Sequence, residues 1–540
     1  MTFVPPSTRG IKLFVALLLF CVFRAEVTGA PSTAAPQGTI DCRLLKGFGH
    51  VSHPVSSDNP RARLFFEQGL AFKYGFNRGE AIRSFECAAG MDPNLAMAYW
   101  GIALALGSDV NGPGNVVAAH KAITDATALL PHANDAERAY IEALELRYVE
   151  DARHDRNKFE TEYSEAMKAL VMRFPQDLDA ATLYAESLMN LHPFQLWSPD
   201  GMPESGTKDI VATLESVLKK NPNHLGANHY YIHAVEGSTA PGRSLSSANR
   251  IARLAPASGH LVHMPAHVYF RIGDYAGAIK SNEDAILADD RYLAAGGDPV
   301  YGMHYESHNL EFLVVAYCMA GNRAGALRAV GDLERLQDNY GAHGLTARSV
   351  RTMILVRFAR WQEILSLAKP SDETSLSMWH FSRAMALAAG QDPDGAQSEI
   401  VQMESLDSRD ALPSMSSVTS VARNLVLALI ARARGEKQLA LERLRAGVAL
   451  EDSLPFDEPP RWYIPLREKL GALLLMVGDV DGAERVFRED LVRHPNSGRS
   501  LFGLAECLKR LGKRGEARST TNAFLDAWRT SDTEMQIDAL

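Results

Sequence analysis

The stretch FFEQGLAFKYGFNRGEAIRSFECAAGMDP, residues 65–93, decides the fold. Gly69, Phe72, Ala81, Phe85 and Pro93 stand in it at positions 8, 11, 20, 24 and 32 of a repeat of about 34 residues. Such a unit reads as two helices joined by a tight turn, with the small residue at position 8 where the paired helices approach closely.

The same spacing returns at 262–290 through Ala266, Tyr269, Gly273-Asp-Tyr275, Ala278 and Ala285, and at 467–495 through Gly471, Leu474, Gly478-Asp479, Ala483, Phe487 and Pro495. Weaker copies occupy 137–175, 178–219, 225–256, 308–336, 350–370, 378–406, 421–450 and 500–529. This is the tetratricopeptide pattern, so the expected fold is all-α: helix-turn-helix repeats stacked in a right-handed superhelical solenoid. One unit cannot bury its apolar faces alone, and stacked neighbours share a continuous core. The expected organisation is a signal peptide at 1–30, a loose segment at 31–60, a repeat array at 61–370 and further repeats at 371–453. A proline-rich aromatic loop at 454–466, able to fold over the inner surface as a lid, and C-terminal repeats at 467–540 complete it.

With 540 residues and 46% hydrophobic content the chain can bury a large core, and 22% charged residues with 26 prolines argue against wholesale disorder. The net charge of -9 and the lack of a Lys/Arg run exclude the footprint of a nucleic-acid binder. Arg9 and Lys12 precede the apolar run Leu13 to Phe23, and Thr28-Gly-Ala30 offers small residues for cleavage, so a secreted or periplasmic protein is expected, with no transmembrane segment after signal removal. Cys42, Cys87, Cys318 and Cys507 lie far apart and do not suggest a disulfide framework.

Eight of the 17 histidines fall between Asn221 and Asn309. His229, His233 and Glu236 form one phrase, His260, His263 and His267 another, and His304 and His308 close the cluster after the irregular His224. Spacings of three and four set side chains one turn apart on a helix face, a common way to present imidazoles to a metal ion. In a tetratricopeptide array, positions 2, 5, 9 and 12 of each first helix face the concave groove. Registered on Ala278, Pro222 and Ala326, the two phrases and His308 all take such positions; registered on Pro175, so does Glu186. Independent decoration would scatter histidines over both faces. An imidazolium groove for an acidic ligand is disfavoured, because a reference pKa of about 6.5 leaves histidine mostly uncharged near neutral pH. The expected metal set is therefore His229, His233, Glu236, His260, His263, His267 and His308, with Glu236 or Glu186 as ligand or general base. Zinc, copper or iron suits these ligands, and no thiol lies at helical spacing to make a structural zinc site. Trp100, His192, Trp197 and His304 are candidate substrate-pocket residues, and Trp462, Tyr463 and Arg467 candidate lid residues.

Beyond the generic repeat, the mature chain resembles a family of exported, histidine-rich tetratricopeptide-repeat proteins. The likeness is carried by Phe76 to Phe85, Ala96 to Ala103, Leu191-His-Pro193, His229 to Glu236, Gly259 to Tyr269 and Trp462 to Arg467. Arg78 departs from it, standing where the family pattern implies a histidine. The resemblance implies fold and family, and no activity.

Three functions are compatible with these residues. One is a metal-dependent enzyme, a hydrolase with zinc or an oxidase with copper or iron, which needs an enclosed pocket for a small substrate. A metal-carrying protein needs the ligands without the pocket. A protein-interaction scaffold would grip a peptide in the groove, but peptide-carboxylate clamps in such arrays use Lys, Arg and Asn where this chain has histidine. No phosphate loop, nucleophile elbow or strand pattern is present.

Overall fold

The computed structural model describes residues 41–112, 114–149, 155–340, 346–410 and 413–540. The expected signal peptide and the start of the segment after it lie outside these residues. The compact unit Ile40–Leu540 is all-α, with twenty-five α-helices and three short 3-10 turns among the described residues. Its extended pairings among the described residues are two isolated bridges, Asp109 with Gly112 and Trp197 with Pro203. Consecutive helices pair into hairpins stacked in chain order as the tetratricopeptide-type solenoid. The pair Ala96–Leu106 and Val116–Ala128 is a hairpin that the repeat template did not register. No described helix is long and apolar enough to cross a membrane.

The repeat register is written in the backbone. Phe76, Gly273, Gly321, Ala359, Gln391, Gly435, Gly478 and Gly512 all adopt positive φ, each five residues before a buried Ala81, Ala278, Ala326, Ile364, Ala396, Ala440, Ala483 or Ala517. The next amide reaches back to the carbonyl five residues earlier, as in Asn77 to Phe72 at 3.0 Å, Asp274 to Tyr269 at 2.8 Å and Asp479 to Leu474 at 3.0 Å. This left-handed closure ends one helix, and Asp274 and Asp479 start the next by accepting from Gly277 and Gly482. The aromatic at position 24 explains the small residue at position 8. A Cβ on Gly69 or Gly101 would lie 2.6 or 2.5 Å from the Phe85 ring, and Gly471 and Gly503 bear the same relation to Phe487 at 2.5 and 2.2 Å.

Contacts between distant repeats cross the inner surface. The C-terminal end of the first helix, Pro60–Tyr74, meets Leu225–Glu236, so a Cβ on Gly226 would lie 2.4 Å from the Tyr74 ring. Further on, the Tyr275 hydroxyl donates to Pro495 O at 3.1 Å, and Arg357 pairs with the Glu468 carboxylate, both buried. Two apolar clusters result. Val268 belongs to the N-terminal one, while Ala266 and Phe270 from the same helix belong to the C-terminal one. The histidines sit at that junction.

Residues 41–59 carry no helix yet are tied in place. A disulfide joins Cys42 to Cys87, His53 Nδ1 lies 2.9 Å from Asp179, and the Ser56 amide donates to Glu137 at 2.5 Å. One staple is thus present where sparse cysteines had argued against a disulfide framework. Cys318 and Cys507 remain as buried thiols.

Candidate metal centre

The helix Leu225–Glu236 is buried along its whole length and carries His229, His233 and Glu236 on one face. The following first helix is broken at Met264, because Pro265 has no amide to return to the preceding turn, but both parts, Gly259–His263 and Pro265–Ile272, keep helical register. It presents His260, His263 and His267, and His308 enters from Pro299–Met319. These side chains converge. His229, His233 and His260 offer ligand atoms within 4.8 Å of one another, as do His263, His267 and His308, and a third group of His233, Glu236, His267 and Glu458 links the two trios.

Hydrogen bonds on the outer ring nitrogens decide which atoms are free. His229 Nδ1 lies 2.6 Å from the Tyr74 carbonyl oxygen. His263 Nδ1 lies 2.6 Å from Asn282 Oδ1, an oxygen identified by the amide nitrogen's own bond to Ala278 O. His267 Nδ1 lies 2.6 Å from Glu236 Oε2. All three partners are acceptors, so each Nδ1 carries a proton, the usual device by which proteins aim an imidazole at a metal. The inner nitrogens then face each other, His263 Nε2 2.7 Å from His267 Nε2 and His229 Nε2 3.0 Å from His260 Nε2. Paired lone pairs at that distance repel unless a proton or metal ion satisfies both. Ligands about 2.0–2.1 Å from one metal ion stand roughly 2.9–3.4 Å apart, close to these separations. His233 Nε2 and His260 Nδ1 are buried without a hydrogen-bond partner among the described residues.

Glu236 and Glu458 join the trios. Glu236 Oε1 is 2.8 Å from His233 Nδ1 and its Oε2 takes the His267 proton. Glu458 Oε2 is also 2.6 Å from His267 Nδ1, and its Oε1 is 3.6 Å from His233 Nδ1. One N–H cannot satisfy both carboxylates, and Glu458 Oε2 is left without an aligned donor. Two buried carboxyl groups side by side call for a cation. Burial opposes ionisation of Glu236, but His267 and His233 outweigh it and hold Glu236 well below the usual carboxylate range. Burial and the Glu236 charge push Glu458 well above it. Without metal, the pair therefore keeps one proton.

The histidines divide the same way. Burial, then the neighbouring imidazoles, lowers His229, His260, His263 and His308 well below the ordinary 6.5 and keeps them neutral, as a ligand must be. Burial also disfavours charge on His267, but Glu458 and Glu236 overcome it and raise this group to about 10. As an imidazolium, His267 donates Nε2–H to His263, which is how the metal-free arrangement is satisfied.

No protein-family model and no curated protein matches the chain. Among solved structures, yeast Tom70 aligns with 12% identity over 88% of this chain and 93% of that one, at a TM-score of 0.32. A human IFIT1 dimer with m7Gppp-AAAA aligns with 11% identity over 80% and 90%, at 0.36. So remote a likeness carries nothing about chemistry.

The other residues singled out in the sequence are not all at the centre. Glu186 is not among the converging ligands; its Oε1 is 3.4 Å from Lys73 Nζ, and both side chains are buried, so its charge is already matched. Trp100 packs between Phe66 and Tyr140 as core. His192 is exposed. Trp197 borders His233 beside Phe456 while its indole N–H donates to Ala234 O at 2.8 Å. His304 packs edge-on against Tyr305, an exposed neighbour of the cluster. His224 caps its helix by accepting from the Ala227 amide. Trp462 and Tyr463 anchor the 454–466 loop through the Phe381 ring and Val350 O, and Arg467 pairs with Asp452.

Two site residues escaped the sequence reading. Glu458 sits in the Pro-rich loop, and no spacing ties it to the histidines. Phe76 had a signal: it stands at the turn position where five other copies have glycine, at φ 56. Such strain costs on the order of 1–3 kcal/mol. It puts the ring against His229, His260 and His233, with centroids 4.5, 5.3 and 6.1 Å away. On the carboxylate side the centre opens into a cavity of about 710 Å³ reached by Glu236, His267 and Glu458, with Phe312, Phe456 and Trp462 in its walls. A further polar group, His53 with Asp177 and Asp179, is closed by hydrogen bonds from Tyr74 and Tyr140 and by His224.

Proposed function

We propose that this chain is an exported metal-dependent enzyme whose centre holds one or two transition-metal ions. The observation that carries the proposal is the pair of histidine trios, buried except for half-buried His308, each containing two ring nitrogens 3.0 or 2.7 Å apart and linked through Glu236 and Glu458. Three imidazoles per ion leave coordination positions open, as catalytic sites require. His229, His233 and His260 would hold one ion, His263, His267 and His308 a second, and Glu236 and Glu458 would bridge them or orient their histidines. A bound ion supplies Lewis acidity for hydrolysis if it is zinc, or redox chemistry if it is copper or iron. Glu458, on the cavity side, is placed to give and take a proton.

The cavity and the loop over the centre favour an enzyme over a carrier, which needs neither. A protein-interaction scaffold fits the tetratricopeptide-type fold equally well and is the reading left if no metal is found. The N-terminal apolar run and the Cys42–Cys87 bridge support an oxidising compartment outside the cytoplasm.

Elemental mass spectrometry on protein purified without a histidine tag or chelator tests the proposal. One or two equivalents of zinc, copper or iron are expected, lost in His233→Ala and reduced in Glu458→Gln with helix content unchanged. A metal-free protein that also fails to take up these three ions sinks it.

A further inference from the structure

The cavity beside the centre is rich in charge, and its other arginines are matched to carboxylates. Arg467 grips Asp452 with two hydrogen bonds of 2.6 and 2.7 Å, Arg493 reaches the same carboxylate at 3.2 Å, and Arg461 pairs with Asp457. Arg271 is different. Its Nε donates to the Glu236 carbonyl at 3.0 Å and an Nη to the Ser238 carbonyl at 3.2 Å, both neutral partners, while the Phe456 ring lies 5.9 Å from its guanidinium carbon. No carboxylate pairs with it among the described residues. The carboxylate that acts on it through space is Glu236, whose oxygens are already committed to His233 and His267.

A guanidinium held in a half-buried wall against neutral partners is costly unless an anion completes it. Arg271 lies one helical turn beyond His267 and lines the same cavity, so such an anion would lie next to the centre. Between the charged groups the wall carries apolar side chains, Phe270, Ile272, Phe312 and Trp462. A single planar cation suits a carboxylate; a phosphate dianion would also face Glu451, Asp452 and Asp457 in the same cavity.

We infer that Arg271 receives the carboxylate of a small aromatic or apolar acid, whose body fills the cavity against these rings. As substrate recognition this rests on the proposed metal-dependent activity; as an anion site it does not.

The probes are phenylacetate and its neutral counterpart phenylacetamide, titrated calorimetrically into the full chain in metal-free and zinc-loaded forms. Metal-free protein is expected to bind the acid at least about tenfold more tightly than the amide. Arg271→Met removes that difference without changing amide binding, and Arg271→Lys restores part of it. In the unaltered protein, phenylacetate is also expected to protect Arg271 from phenylglyoxal, read by peptide mass spectrometry, which decides the matter even if Arg271→Met does not fold. Equal affinity for acid and amide, no binding of the acid, or acid binding unchanged in Arg271→Met overturns the inference. Absence of metal in elemental analysis would overturn the enzyme proposal alone and leave the acid–amide difference in the metal-free protein to stand or fall by itself.

Discussion

His229, His260, His263 and His308 are neutral in the folded chain because burial and neighbouring imidazoles hold them well below 6.5. In the unfolded chain they protonate near their ordinary value. The unfolded state therefore binds more protons between the depressed folded values and 6.5, and stability falls as pH drops through this range. His267 has the opposite sign: raised to about 10, it contributes fully below 6.5 and loses its contribution only as pH rises through 10. Burial raises Glu311 to about 8 and Glu451 to about 7, and these act in the opposite sense, so the histidines are read by difference: the melting temperature of the metal-free protein is expected to drop more below about pH 6.5 than that of His260→Phe, with the difference profile followed by circular dichroism. A flat difference profile down to about pH 5 would refute the neutral assignment of His260. That these histidines converge was legible from their register alone, since positions 2, 5, 9 and 12 do point inward. The misplaced residue was Glu186, which shares the register but is claimed by Lys73, a partner that lies 113 positions away and is set by tertiary packing.

At the scale of the helical hairpin, sequence and structure agree because the constraint is local. An aromatic at position 24 presses on a small residue at position 8, and Gly471 against Phe487 offers a test. Its added Cβ would lie 2.5 Å from the ring, so Gly471→Ala is expected to cost about 1–3 kcal/mol in denaturant unfolding while leaving metal content unchanged. A stability within a few tenths of a kcal/mol of the parent would mean that the hairpin relaxes freely. The loop at 454–466 shows where local rules stop. Its prolines and aromatics announced a lid, but which residue it delivers depends on Trp462 and Tyr463 docking on Phe381 and Val350, contacts with no sequence spacing.

Across the whole molecule, the array closes on itself, and this could not be read from a repeat pattern that specifies only neighbour-to-neighbour packing. The Cys42–Cys87 bridge fixes one end of that closure by holding residues 41–59 near the first hairpin, from where His53 and Ser56 reach Asp179 and Glu137. Closing a loop with a separation of 45 residues contributes about 4 kcal/mol in the chain-entropy view. Reduction, or Cys42→Ser with Cys87→Ser, is expected to lower stability by about 2–4 kcal/mol, seen as a lower melting temperature. An unchanged melting temperature would show that packing alone holds this segment.

Glu458 enters the centre 150 positions after His308. At synthesis rates of about 5–20 residues per second, the histidines emerge roughly 8–30 seconds before the residue that covers them. For that interval the histidines of the growing chain lie uncovered, and any ion of the proposed centre would exchange freely. Only the finished chain can bring Glu458 to them, so under the proposed function the choice of metal would belong to the compartment in which folding ends.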